Sequence, residues 1–281
     1  VPSRPKSRPG QPALITDPDR RRRLGASFST DTSLQEAWRY DAVRPRYPRE
    51  VVARMLALSP AAHPVVADLG AGTGILTRAL LEHGADVHAV EPSIAMTEVL
   101  AARSAELLRN QTSPRLQVHR TTAEATGLEE ASCDVVVAAQ AWHWFDDALV
   151  QQEVRRILRP GGVLAVVANY LDTSVPWVHR LTRIMRAGDV YRPGWTPAVD
   201  PALFGAWTTQ ETRWERAITP EEIRTLSTTL SSWLSADGPA RERRRANLDW
   251  YLDEHLELSP GEPVQLPYLT VLHTSVLPGP T

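Results

Sequence analysis

Between residues 65 and 168 the apolar positions fall in short blocks, and a stretch with helical spacing separates most blocks from the next. "VVADL" precedes a helical pattern from about Ile75, "DVHAV" precedes one from Ser93, and "LQVHR" leads on to "CDVVVAA". A helix over "ALVQQEVRRIL" and the apolar run "GGVLAVVA" complete the series. Short apolar strands alternating with helices predict βαβ units and a parallel sheet covered on both faces. Right-handed crossovers then give a doubly wound, open α/β sheet.

The flanks follow other rhythms. Upstream, "FSTDTSLQEAWRYDAVRPRYPREVVARMLAL" is helical on both sides of "RPRYP", where Pro45 and Pro48 forbid a continuous helix, which predicts a lid before the core. Beyond Tyr170 comes a Pro- and Trp-rich tract containing Trp177, Trp195, Trp207 and Trp214. "TPEE", Thr219 to Glu222, supplies an N-cap, a first-turn proline and a capping-box glutamate, and the helical tract it starts runs to about Leu256. "VQLPYLTVLHTSVL" reads as a final strand, bulged or at a sheet edge around Pro267. The expected organisation is a disordered Pro/Arg-rich head over 1–25, a helical lid over 26–62, a core over 63–170, and cap helices with closing strands of the same domain over 171–281.

Composition acts mainly by exclusion. With 281 residues, 42% of them hydrophobic, the chain can bury a full core without covalent staples. The single cysteine, Cys133, rules out an internal disulfide and cannot by itself build a zinc cluster, so a reducing, cytoplasmic setting and no metal are expected. No window approaches the roughly 18 apolar residues that span a bilayer, and the first residues lack the apolar centre of a signal peptide, so neither membrane insertion nor export is expected. A formal net charge of −2 provides no general field for nucleic acid. Two basic runs read as solvated charge: Arg20 to Arg23 in the head, and "RERRR" at Arg241 to Arg245 on the solvent face of a long C-terminal helix.

"VVADLGAGTGILTRAL", Val65 to Leu80, carries the candidate chemistry. Gly70, Gly72 and Gly74 follow a strand and open a helix, so their backbone can approach a ligand and present N–H groups to it. A nicotinamide-binding G-x-G-x-x-G would place its third glycine at Ile75, and no Gly-Lys-Ser/Thr ending makes a P-loop. The next strand ends in Glu91, 17 residues beyond Gly74, where a carboxylate can accept from both ribose hydroxyls. The order of strand, glycines, helix and strand-end acid points to a nucleoside site.

These residues resemble the class I S-adenosylmethionine-dependent methyltransferases, in particular the small-molecule branch that includes trans-aconitate methyltransferase-like proteins. "VADLGAGTG" and "VHAVEPSIAM" are similar to that family's first two motifs, and "TTAEATGLEEASCDVVVAAQAWHWFD" and "EVRRILRPGGVLAVV" continue the match, with "YDAVRPRYP" upstream. The resemblance implies a Rossmann-like sheet of seven strands, mostly parallel with an antiparallel final strand, plus an N-terminal helical lid and a C-terminal helical insertion. It implies S-adenosyl-L-methionine as cofactor, with Asp68, Gly70, Gly72 and Gly74 around its methionine part and Glu91 on its ribose. Pro92 and Met96 would flank the adenine, Ala123 and Glu124 would meet its edge, and Gln140 and Ala141 would lie under the sulfonium. Tyr40 and Arg44 resemble the lid, with Arg44 a partner for the cofactor carboxylate; a packing tyrosine and a surface arginine are the competing reading.

A methyl sulfonium is already activated, so such an enzyme mainly aligns the acceptor and excludes water. A carboxylate acceptor needs no base, whereas a hydroxyl or phenol usually does. His143 in "AQAWHWFDD" is the base candidate, set against a histidine that only holds its loop. Trp142, Trp144, Tyr170 and Trp177 are candidates for an apolar acceptor pocket, with core filling as the alternative for each. Relatives that methylate exocyclic base amines carry an Asn/Asp-Pro-Pro-Tyr/Phe motif where this chain has "AQAWHW", and cytosine enzymes need a cysteine at the end of the strand that Cys133 opens. The expected acceptor is therefore a small molecule, methylated on a carboxylate or hydroxyl oxygen, and not nucleic acid. A non-catalytic protein that binds the same cofactor and a partner through the Trp-rich tract stands as the alternative, and a nicotinamide dehydrogenase as the third.

Overall fold

The computed structural model describes residues 32–109, 115–187 and 191–278. The Pro/Arg-rich head with Arg20 to Arg23 lies outside the described residues. Seven strands, β1 (Val65–Leu69), β2 (Asp86–Val90), β3 (Leu116–His119), β4 (Cys133–Ala139), β5 (Leu158–Leu171), β6 (Thr208–Ile218) and β7 (Val264–Val276), form one sheet in the order β3-β2-β1-β4-β5-β7-β6. β1 pairs in parallel with β2 and β4, and β7 alone runs against its neighbours. The sheet is that of the doubly wound, seven-stranded expectation.

Alternation along the strands decides which helix covers which face. Val66, Val135, Val137, Val163 and Ala165 point to one side, where α2 (Arg49–Leu56) and α3 (Ile75–Glu82) bury Val52, Met55, Leu76 and Leu80 against them. Ala67, Leu69, Val136, Ala138 and Leu164 point to the other, beneath Val150, Val154 and Ile157 of α5 (Asp147–Ile157). Both faces of the central strands are thus dry, as continuous apolar runs require. α4 (Ile94–Leu108) starts at Ser93, whose hydroxyl accepts from the Met96 N–H.

The lid has the two helices expected of it, α1 (Leu34–Val43), started by a Ser33/Glu36 capping box, and α2, separated by the proline break. The cap consists of α6 (Pro176–Met185), α7 (Pro220–Thr228), α8 (Ser231–Leu234) and α9 (Gly238–Trp250). α7 begins with the Thr219/Glu222 capping box read from "TPEE". Val178, Leu181, Ile223, Leu226, Leu248 and Tyr268 form the cap's own buried cluster.

Two expectations change. β7 is not an edge strand, because β5 and β6 flank it on both sides. Pro267 is tolerated because its missing N–H faces the place where β5 stops: its carbonyl accepts from Asp172, one residue beyond β5. The second concerns the Trp-rich tract, which contains the eleven-residue strand β6. β6 is the edge strand on this side of the sheet, and its largely exposed, charged sequence hides the strand while discouraging edge-to-edge pairing.

Candidate active site

The sheet order reverses at β1, which has β2 on one side and β4 on the other, so the carboxyl ends of these strands open a crevice. Three strand ends converge there: Gly70 after β1, Glu91 after β2 and Gln140 after β4. Gly70 has φ +68°, and a Cβ on it would lie 2.6 Å from the Ala141 Cβ. Gly74, at φ +78°, is fixed by packing instead, since its Cβ would stand 2.6 Å from the Leu100 Cγ on α4. Nothing lies within 4 Å of a Cβ placed on Gly72. The loop is therefore pinned at both ends and bare in the middle.

Glu91 is buried, and its carboxylate accepts from the Gly72 N–H at 3.0 Å and the Ser93 N–H at 2.9 Å. It thereby ties the glycine loop to the start of α4. Burial pushes its carboxyl above the ordinary glutamate range, against the pull of those two N–H groups. An ionised carboxylate has about four acceptor positions, so two remain for hydroxyl donors. Beneath the loop, Asp68 accepts from the Thr77 hydroxyl at 2.6 Å, while its Oδ1 has no protein partner. Burial raises Asp68 to about 7, despite that hydrogen bond.

Gln140 sits at φ +57°, a left-handed conformation that costs a non-glycine residue roughly 1–2 kcal/mol. Its amide N–H reaches the Val167 carbonyl and its side chain the Asn169 carbonyl, two bonds to β5 that hold the turn. The lid is latched to α3 and α4 by charge. Asp41 of α1 is fully buried, with Arg78 at 2.6 Å, Arg103 at 3.0 Å and Arg46 at 3.6 Å. Burial alone would raise its pKa, but the arginines, Arg78 foremost, hold the carboxyl below its usual range.

Lid, strand ends and cap enclose a cavity of about 190 Å³. One end is walled by Gly70, Gly72, Glu91, Pro92 and Met96, the other by Leu171, Met185, Leu226, Leu230 and Tyr268. A lobe of about 50 Å³ shares Tyr40, Arg44, Gly72 and Gln140 with it. At the cap end the Tyr268 ring stacks on Trp214 at 5.0 Å, and its buried hydroxyl finds no protein acceptor. Burial pushes this phenol up to about 12, with Arg216 and Arg44 pulling the other way, so it stays a proton donor at neutral pH.

Comparison with known proteins places this geometry. Residues 67–166 match the family model described as a methyltransferase domain. An uncharacterized methyltransferase of Mycobacterium tuberculosis is 35% identical over 252 residues, covering 89% of this chain and 96% of the relative. The chain belongs to the class I S-adenosylmethionine-dependent methyltransferases. A solved structure from Anaeromyxobacter dehalogenans, assigned to the type II methyltransferases, is similar at TM-score 0.57 and 26% identity, covering 84% of this chain and 99% of that one. Phosphoethanolamine N-methyltransferase 2 of Haemonchus contortus, solved with S-adenosylhomocysteine, shares the fold at TM-score 0.50 and 14% identity, covering 92% of this chain and 60% of that one.

The methyltransferase brings most, not all, of the sequence candidates to its cavity. Tyr40, Arg44, Gly70, Gly72, Glu91, Pro92, Met96, Gln140, Ala141, His143 and Trp144 are on the wall. Asp68 and Gly74 lie behind the loop and shape it. Ala123 is buried in the core cluster, and Glu124 accepts from the Asp146 N–H at 2.9 Å, holding the start of α5. Trp142 faces the core beneath the sheet, edge-on to Phe145, and Trp177 packs into the cap cluster, where its carbonyl accepts from the Tyr251 hydroxyl. Tyr170 pairs with Tyr191, ring centres 5.7 Å apart, outside the wall. Residues that sequence reasoning missed, Asn169, Met185, Leu226, Leu230 and Tyr268, come from β5, the cap and β7. Among the described residues no group of three or more His, Cys, Asp or Glu is placed to hold a metal, and no helix is long and apolar enough to cross a membrane.

Proposed function

We propose that this methyltransferase alkylates an oxygen, carboxylate or hydroxyl, of a small molecule held at the cap end of the cavity. The observation that carries the reading is the Tyr268 hydroxyl: a buried donor with no protein acceptor, set beside Leu171, Met185, Leu226 and Leu230 and near the Arg44 and Arg216 guanidiniums. A buried donor of this kind favours an acceptor that brings an oxygen to it.

The donor set at the other end fits the cofactor. Glu91 would take the ribose hydroxyls, the bare backbone at Gly72 would admit the methionine part, and Pro92 and Met96 would flank the adenine. S-adenosylmethionine, when bound, supplies a methyl group on a sulfonium leaving group. The protein's own work is alignment and exclusion of water: Gln140 and Ala141 fix the floor, and the lid and cap cover the top. His143, on the turn Trp142–Trp144 with its ring 4.2 Å from Trp144, faces the same space and would take the proton of a hydroxyl acceptor. A reducing, cytoplasmic setting accords with a single cysteine, buried at the start of β4.

The test is formation of S-adenosylhomocysteine from S-adenosylmethionine with pools of carboxylic acids and phenols. Turnover with an acid that His143→Ala retains identifies a carboxylate acceptor, and turnover with a phenol that the variant loses identifies a hydroxyl acceptor. Turnover only with amines or thiols refutes oxygen transfer.

A further inference from the structure

Arginines converge on a second concavity, in the cap between α6 and α9, that encloses about 630 Å³. Arg180, Arg183 and Arg186 line it from α6 and its C-cap, Arg243 and Arg244 from α9, with His179 beside them. Apolar packing of Val178, Leu181 and Met185 with Leu248 brings the two charged rows together. The run "RERRR" is thus only partly a solvent face.

Among the described residues none of these five guanidinium groups forms an ion pair, and the lining contains no Asp or Glu. Arg224 of α7 shows the contrast: it contacts Asp249 of α9 and Asp253 just beyond it, both at 2.6 Å. Two of the groove side chains are held in place. Arg180 lies over the rings of Trp250 and Tyr251, 5.4 and 5.2 Å from their centres, with Nη1 3.2 Å from the His255 Nε2. Arg244 donates from Nη1 to the Ser232 carbonyl, and its buried Nε has no partner. Burial, followed by the charge of Arg186, lowers its pKa against the pull of Asp237.

Five cations around one hollow, two of them held in place, in a chain of formal net charge −2, repel one another until an anion enters. Guanidinium forks match phosphate oxygens two at a time. We propose that the groove between α6 and α9 is a binding site for a phosphate-bearing ligand with two or more negative charges. The hollow suits a compact anion better than an extended acidic peptide, whose carboxylates are strung along a line. The site also touches the cavity already described. Met185 and Ala187 line that cavity while Arg183 and Arg186 line the groove, and Arg244 holds Ser232 next to Ser231 of the cavity wall. A ligand in the groove would therefore bear on the cap that closes over the acceptor.

The experiment is calorimetric titration of the whole protein with pyrophosphate at fixed ionic strength, repeated with Arg244→Ala and with the exposed Arg183→Ala, which guards against a folding defect in the first. Expected is saturable one-to-one binding, weakened on the order of 10-fold or more in each variant, the loss for a hydrogen bond to a charged group. S-adenosylmethionine affinity should stay unchanged, so failure here is distinct from failure of the methyl-transfer reading. Flotation with vesicles containing phosphatidic acid separates the two sources of phosphate. Vesicle binding that both variants abolish, without pyrophosphate saturation, supports the same site on a lipid headgroup. No binding of either probe, or binding that both variants retain, overturns the proposal.

Discussion

The two ends of the cavity are made of different materials. At the glycine-loop end, proposed for the cofactor, backbone and strand ends set the frame: Gly70 and Gly72, with Glu91 holding the loop by two N–H groups. At the cap end, proposed for the acceptor, side chains set it, Met185, Leu226, Leu230 and Tyr268, carried on cap elements and β7. A backbone surface is set by which residues the φ angles and close approaches permit, so it leaves little freedom. A side-chain surface can be resized by substitution without moving the frame. The first end suits a ligand common to a family, the second a ligand particular to one member.

Substitutions can break or sharpen that contrast. Gly70→Val is expected to have the largest effect, destabilising the fold by about 2–5 kcal/mol through a left-handed φ and a clash with Ala141. Urea unfolding reads it, and an unchanged midpoint would show the loop to be pliable. Glu91→Ala should weaken S-adenosylmethionine binding by about 1.5–3 kcal/mol, measured by calorimetry on a folded variant. Undiminished affinity would remove Glu91 from the ribose.

Asp68 gives a pH test of the same end. Its folded pKa of about 7 lies above the ordinary 3.8, so between these values the folded chain holds a proton that the unfolded chain has released. Stability attributable to Asp68 therefore falls as pH rises through this window, and the deficit is constant above it. Unfolding titrations from pH about 4 to about 7 should show Asp68→Asn gaining on the wild type by about 1–2 kcal/mol, allowing for relaxation around the carboxyl. A gap independent of pH would contradict a buried, protonated Asp68. The smallest effect belongs to the other end: Tyr268→Phe should cost about 0.5–1.5 kcal/mol in acceptor kcat/KM and leave cofactor affinity alone. Equal losses for both ligands would erase the distinction between the ends.

The same contrast explains what the sequence disclosed. Gly70, Gly72 and Glu91 are legible because a tight turn after a strand and an acid at the next strand end are local demands, written within a few residues of where they act. Tyr268 and Leu230 have no local mark, since only long-range packing brings β7 and the cap over the crevice. Aromatic identity misled for the same reason: Trp142 and Trp144 are two residues apart, yet one faces the core and the other the cavity. β6 was hidden because an edge strand exposes polar side chains on both faces, leaving "TTQETRWERAI" without the apolar block that betrays β4 or β5.

The position of β7 has a consequence for how the chain is made. β6 touches the sheet only through β7, and β7 follows every other strand in sequence. During synthesis from the N-terminus, β1, β2, β4 and β5 can assemble and shape the glycine loop while β6 has emerged with nothing to pair with. Tyr268 arrives on the last strand. The chamber proposed for the acceptor is therefore finished only when β7 slides between two strands already made.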